Sequence, residues 1–183
     1  MNTKEKIEKG FIELSKIRNT TNITVVDICD HLKISRKTFY NYFPDRQAIT
    51  EKIFIDRVEK TIHDCLKYGI NTKNFMTAVY NSYLEEKDFF AIAIQENGQN
   101  SLFDTIISRM EIVFNIIFRD IIENKTELEY LSYKFASLQA MLLKKWMKNG
   151  MKESPEFMTQ MYLVSIEDYE NKHNEIVERK HIW

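Results

Sequence analysis

The sequence predicts an all-α protein, with a small bundle of three N-terminal helices joined to a larger helical body. Three observations carry this. Apolar residues recur at three- and four-residue intervals over nearly the whole chain, the period of a helix face and not the alternation of a strand. Glycine (4) and proline (2) are too few for a turn-rich β architecture. At 183 residues, 44% apolar and 29% charged, the chain is globular and long enough for one sizeable core.

Ile7, Phe11, Leu14 and Ile17 make one face of a first helix over about residues 4–18. Thr24 opens a short second helix, with Asp27 three residues on as its capping-box partner and Val25, Ile28 and Leu32 as its buried face. The turn Lys33-Ile34-Ser35 leads to another short helix over about 36–42. Pro44 breaks the chain, and Asp45 caps a long helix that runs to about Lys67. Segments 72–86 and 88–96 are amphipathic helices, and Asn97 to Asn100 form a loop.

Residues 101–123 are apolar on most sides (Leu102, Phe103, Ile106, Met110, Val113, Phe114, Ile117, Ile121), which predicts a central, buried helix. Thr126 with Glu129 starts the next helix, and Gly150 stops it after Trp146. Ser154-Pro155 starts the last long helix, an N-cap followed by proline at the first helical position, and it runs to about Glu170. Residues 171–183 are charged and form a short extra helix or a frayed tail. The expected division is a unit at 1–45 and a second at 46–183.

The net charge of −1 is unequally spread. Residues 1–60 hold 12 Lys and Arg against 9 Asp and Glu; the remaining 123 hold 14 against 18. The positive excess lies with the N-terminal helices, as a nucleic-acid partner would require. Cys29 and Cys65 make neither a disulfide framework nor a metal quartet, which fits a reducing cytoplasm. The N-terminus lacks the apolar core of a signal peptide, and no apolar run is long enough to span a membrane. No nucleophile elbow, P-loop or HExxH occurs, and His31, His63, His173 and His181 are scattered without metal-ligand spacing. The sequence therefore points away from an enzyme, a metal site and a bound cofactor.

Two short helices joined by a tight turn are the minimal DNA-reading unit. Ile28, Leu32, Ile34, Phe39 and Phe43, with Leu14, supply its interior. Ser35, Arg36, Lys37, Thr38, Tyr40, Asn41 and Tyr42 are left to point outward, a heavy load of donors for one short helix. Arg and Lys reach guanine edges or phosphates, and hydroxyls donate to phosphate oxygens and fix register. Thr24 and Arg46 stand in or beside the first turns of flanking helices, where backbone amides favour anions.

Residues 24–49, TVVDICDHLKISRKTFYNYFPDRQAI, resemble the N-terminal domain of the TetR/AcrR family of bacterial regulators. The resemblance lies in the Thr-initiated helix, the Ile-Ser turn, the Thr-Phe-Tyr-x-Tyr-Phe run at 38–43 and the Asp-Arg-Gln-Ala-Ile opening of the fourth helix. Residues 138–158 resemble the last helices of a Gram-positive branch of that family. Residues 70–125 show no specific match. The resemblance implies a DNA-binding transcriptional regulator, a ligand-released repressor, with Ser35, Arg36, Lys37 and Tyr40 on DNA and Thr24, Tyr42 and Arg46 mainly on phosphates. Thr38 and Asn41 complete the expected set. Lys33 departs from the glycine often found there and is expected at φ > 0; the first helix also ends differently, at Leu14-Ser15-Lys16-Ile17-Arg18.

The resemblance further implies a homodimer on double-stranded operator DNA, since one recognition helix binds weakly. The stripes Leu131, Phe135, Leu138, Leu142, Trp146 and Phe157, Met161, Val164 are the candidate interface, with Ala136, Ser137 and Ala140 small enough for close helix approach. It also implies an effector pocket for a small molecule within 45–123. Phe75, Tyr80, Phe90, Phe103, Met110 and Phe114 are its candidate walls, since aromatic and Met side chains suit an adaptable apolar site. A different class of function stays open: a protein-interaction module or co-activator of the same fold that does not bind DNA by itself.

Overall fold

The computed structural model describes residues 1–18, 20–68, 72–96 and 101–164, and the described residues are helical with no strand. The loop expected at 97–100, the last helix beyond 164 and the charged stretch 171–183 lie outside them.

Helix α1 (Thr3–Ser15) starts on a capping box. The Glu5 amide donates to the Asn2 side chain at 2.9 Å, and the Glu5 carboxylate accepts from the Asn2 amide at 3.0 Å. Ile7 and Phe11 are fully buried on its inner face. Between them Gly10 lets α2 (Val25–Leu32) approach: a methyl at Gly10 would stand 2.6 Å from a Leu32 Cδ. Helix α1 ends at Ser15, so Ile17 falls outside it and is exposed.

Helix α2 has the Thr24–Asp27 capping box that its sequence promised. It closes on Lys33 at φ 53°, ψ 46°, with the Ile34 amide donating to the Cys29 carbonyl at 3.0 Å. That bond belongs to a Schellman-type end, which places a non-glycine residue in the left-handed region. A short α3 (Arg36–Tyr40) follows, capped by Ser35. Phe39 and Phe43 are buried in the same core as Ile28, Ile49 and the inner residues of α1.

Asp45 caps α4 (Arg46–Phe54), accepting from the Ala48 amide at 2.8 Å. The helix continues without a break through a π turn (Ile55–Glu59) into α5 (Lys60–Tyr68). The long helix expected from 45 to 67 is therefore present, but it carries a wide turn that the sequence did not announce.

Next come α6 (Thr72–Leu84), α7 (Lys87–Ala93), α8 (Leu102–Phe118), α9 (Lys125–Lys148) and a tenth helix, α10, over 155–164. Helices α8 and α9 are antiparallel neighbours: Phe118 packs on Phe135 at 5.1 Å between ring centroids, and Lys144 lies over the Phe103 ring at 4.3 Å. Asn124, not Thr126, caps α9, because its side chain is placed to accept from the Glu127 amide at 3.0 Å. Gly150 (φ 75°) and Met151 (φ 49°) turn the chain, and the Trp146 indole donates to the Glu153 carbonyl at 3.0 Å to close the corner. Ser154 caps α10 as expected, accepting from the Phe157 amide.

The expectation that α8 is buried all round does not hold within one chain. Leu102, Ile106, Phe114 and Phe118 face inward, but Ile112, Ile116 and Ile117 are exposed, as is Ile121 in the turn beyond the helix. Its apolar positions exceed what its one packed face can cover.

Candidate nucleic-acid interface

Helix α3 sorts its residues by face. Phe39 is fully buried, with Tyr40 edge-on to it at 5.4 Å and Phe43 at 6.2 Å. Tyr40 and Tyr42 are 55% and 44% exposed, and Ser35, Arg36, Lys37 and Asn41 are exposed with them. Thr38 is half-buried; its amide donates to the Ser35 Oγ at 3.0 Å, and the two hydroxyls lie 2.8 Å apart. From His31 to Phe43 there is no acidic residue, while Lys33, Arg36 and Lys37 are all exposed. This short surface thus offers hydroxyl, amide and cationic donors with no carboxylate inside it to repel a phosphate.

Thr24 is exposed at the start of α2, and its hydroxyl lies 2.6 Å from the Asp27 carboxylate. The hydrogen bonds from Thr24 hold the Asp27 carboxyl below its ordinary value of 3.8, and Arg18, at 3.0 Å, adds to them. Cys29, on the buried side of α2, has its thiol pushed up by burial.

Arg46 is placed differently from the rest of the expected set. Its guanidinium turns inward, donating to the Thr20 carbonyl at 2.8 Å and pairing with Glu96 at 2.5 Å. The two side chains are only 14% and 9% exposed. Nothing in the local sequence around Arg46 signals a partner fifty residues away.

The expected dimer stripe divides. Phe135 and Trp146 face the intrachain core, against Phe114 and Phe118 and against Tyr80. Ala136 and Ala140 are also buried inside the chain. Leu131 and Leu142 are half-buried; Leu138, Phe157, Met161 and Val164 are exposed. Tyr130, Tyr133 and Met141 are exposed beside the stripe chosen from sequence. Leu142, Trp146, Phe157, Met158 and Met161 line an apolar groove of about 290 Å³ between α9 and α10.

The candidate effector walls are packed into the body. Tyr80, Phe90 and Phe114 are buried, and Phe75, Phe103 and Met110 are half-buried. Tyr80 stands edge-on to Trp146 at 5.6 Å, and Phe90 edge-on to Tyr83 at 5.2 Å. Burial pushes the phenols of Tyr80 and Tyr83 well above the usual range. The Tyr80 hydroxyl reaches Gln139 Oε1 only at 3.5 Å, and the buried Gln139 Nε2 has no hydrogen-bond partner. Among the described residues no helix is long and apolar enough to cross a membrane, and no cluster of three His, Cys, Asp or Glu side chains could hold a metal ion.

Residues 70–168 match the TetR family model described as "Transcriptional regulator C-terminal region". The chain belongs to the TetR family of transcriptional regulators. It is 23% identical over 166 residues to the uncharacterized HTH-type transcriptional regulator YxbF of Bacillus subtilis, covering 85% of this chain and 42% of that protein. It is 32% identical over 88 residues to the dhaKLM operon transcriptional activator DhaS of Lactococcus lactis, covering 48% and 46%. This chain thus spans less than half the length of these curated relatives in each match. The solved structure of DhaS superposes with a TM-score of 0.66 at 20% identity, over 91% of this chain and 95% of that one. The FadR repressor of Thermus thermophilus, solved with lauroyl-CoA, gives 0.56 at 17% identity, over 87% and 91%. This chain has the all-helical TetR-family fold, with an N-terminal helix-turn-helix bundle and a C-terminal helical domain.

Proposed function

We propose that this TetR-family regulator binds double-stranded operator DNA as a homodimer, through the outer face of α3, and is released by a small apolar effector. Residues 1–45 would read the DNA, and 46–183 would hold the effector and the dimer contact. The observation that carries the reading is the two-sidedness of α3: donors outward, phenylalanines inward, and no acid from 31 to 43. Ser35, Arg36, Lys37 and Tyr40 are the proposed base and phosphate contacts, with Thr24, Thr38, Asn41 and Tyr42 supporting them at phosphates. Arg46 is left out of this set, because its guanidinium is engaged inside the protein.

The dimer contact is assigned to the exposed residues of α9 and α10, from Leu138 to Val164, where an apolar groove lies open. Two such subunits would set their α3 helices in successive major grooves, about 34 Å apart. The effector site is assigned between α6, α8 and α9. The buried Gln139 Nε2, without a partner among the described residues, lies there among aromatic rings, beside the Tyr80 hydroxyl that donates to Gln139 Oε1 at 3.5 Å. A ligand's polar end would supply the missing bonds, and its apolar part would displace side-chain packing. To shift the equilibrium it must bind the non-DNA form better than the DNA form.

The test is fluorescence anisotropy on a labelled duplex carrying the inverted repeat of the protein's own promoter region. Nanomolar, salt-dependent binding is expected. Absence of salt-dependent binding at micromolar protein would sink the reading and favour a protein-interaction module. A reporter fusion then gives the sign. FadR is a repressor and DhaS an activator; repression relieved by the effector is expected here.

A further inference from the structure

We infer that Arg46 and Glu96 form the joint that sets the angle of the recognition helix on the helical body, so that Arg46 acts on operator binding as a positioning residue and not by touching DNA. The inference rests on the operator-binding reading above. Three separate segments meet at this pair. Arg46 is the first residue of α4, six positions after the last residue of α3. Thr20, whose carbonyl accepts from Arg46 at 2.8 Å, lies in the single 3-10 turn (Thr20–Asn22) between α1 and α2. Glu96 lies just beyond α7, in the body. One guanidinium therefore ties both ends of the helix-turn-helix to the body.

Burial separates this pair from the other bridges of the long helix. Arg57 meets Glu86 at 3.5 Å, and Arg109 meets Glu51 at 3.3 Å and Glu59 at 3.0 Å, but those arginines are 40% and 39% exposed. Solvent-exposed pairs of that kind are screened and hold geometry weakly. The Arg46–Glu96 pair is largely out of water, so removal of either charge strands the other. The Thr20 Oγ1 is also buried there, without a hydrogen-bond partner among the described residues. The other end of α7 touches the bundle as well, where Phe89 stands edge-on to Phe11 at 5.8 Å. Helix α7 thus fixes the bundle at two points, one apolar and one ionic, and only the ionic one demands a single direction.

A phosphate contact and a joint predict different salt behaviour. Loss of a phosphate contact lowers the dependence of log K on log salt by about one unit. Loss of a joint weakens binding at every salt concentration and leaves the slope alone. Arg46→Gln, Glu96→Gln, the double variant and Arg36→Ala would be measured in the full chain on the promoter duplex between about 50 and 200 mM salt. Arg46→Gln and Glu96→Gln are each expected to weaken binding about tenfold with an unchanged slope, and the double variant to be no worse than either. Arg36→Ala is the control that lowers the slope. A normal Glu96→Gln protein beside an Arg46→Gln protein with a reduced slope would overturn the inference. Hydrogen exchange on the DNA-free protein separates its failure from that of operator binding, and Glu96→Asp serves if Glu96→Gln does not fold. Faster exchange confined to amides near 20–24 and 46–50 is expected; unchanged exchange there would overturn the joint even if the duplex binds.

Discussion

Helix α3 and the α9–α10 pair treat apolar residues in opposite ways. In α3 the two faces are chemically distinct: Phe39 and Phe43 are sealed inside, and what remains outside can hydrogen-bond to water or to a phosphate. In α9 and α10 apolar residues lie on both sides, with Phe135 and Trp146 inside and Leu138, Met141, Phe157 and Met161 outside. The first pattern is stable in water without a partner. The second leaves large apolar side chains exposed in the single chain, the composition of an interface.

That contrast is broken most sharply by truncating an inner residue. Phe39→Ala removes a fully buried ring and is expected to cost about 3–5 kcal/mol, read as a lower urea midpoint with bundle unfolding. Trp146→Ala, which also abandons the indole bond to Glu153, should cost a similar amount in the body. Tyr40→Ala, one position from Phe39 but exposed, should change stability by no more than about 0.5 kcal/mol. Equal losses at Phe39 and Tyr40 would erase the two-faced picture of α3.

Next in size are the outer faces. Arg36→Ala combined with Tyr40→Ala should weaken operator binding at least about tenfold, at about 1–3 kcal/mol for each good contact, without moving the urea midpoint. Intact affinity would show that the contacts are misassigned. Phe157→Glu with Met161→Glu should convert a dimer into a monomer by sedimentation while helicity is kept, because both residues are exposed in the single chain. A dimer that survives both charges would place the interface elsewhere, with the exposed isoleucines of α8 as the next surface to mutate.

What was legible in the sequence follows the same division. The caps at Thr24, Asp45 and Ser154 were readable because they depend on residues three positions apart; the cap at Ser35 was not read. The left-handed Lys33 was expected from the resemblance, in which glycine often holds that place, and not from the residues alone. The depth of Phe135 and Trp146 was not, since a stripe of large apolar residues reads alike whether a chain covers it or a partner does. Ile117 and Ile121, expected in a buried helix and found exposed, misled for the same reason. The inward turn of Arg46 was invisible: its partner lies at Glu96, and only the docking of α7 against the bundle brings them together.

The smallest effects come from two carboxylates of opposite sign, and they sharpen the comparison between bundle and body. Asp27, held below 3.8 by Thr24, is more acidic folded than unfolded. Its contribution is present above 3.8 and is lost as pH falls through its lowered folded value. Glu8 lies on α1 beside the π turn and is raised above 4.5, first by burial and then by Asp56. Its contribution is full below 4.5 and disappears as pH rises through the raised value, because the folded protein prefers the neutral acid. Asp27→Asn should therefore flatten the acid limb of a urea-midpoint profile below about pH 4. Glu8→Gln should stabilise the protein at neutral pH, with the gain vanishing below about pH 4.5. A gain from Glu8→Gln that persists at pH 3 would mean that packing of the amide, and not relief of a desolvated charge between α1 and the long helix, is responsible.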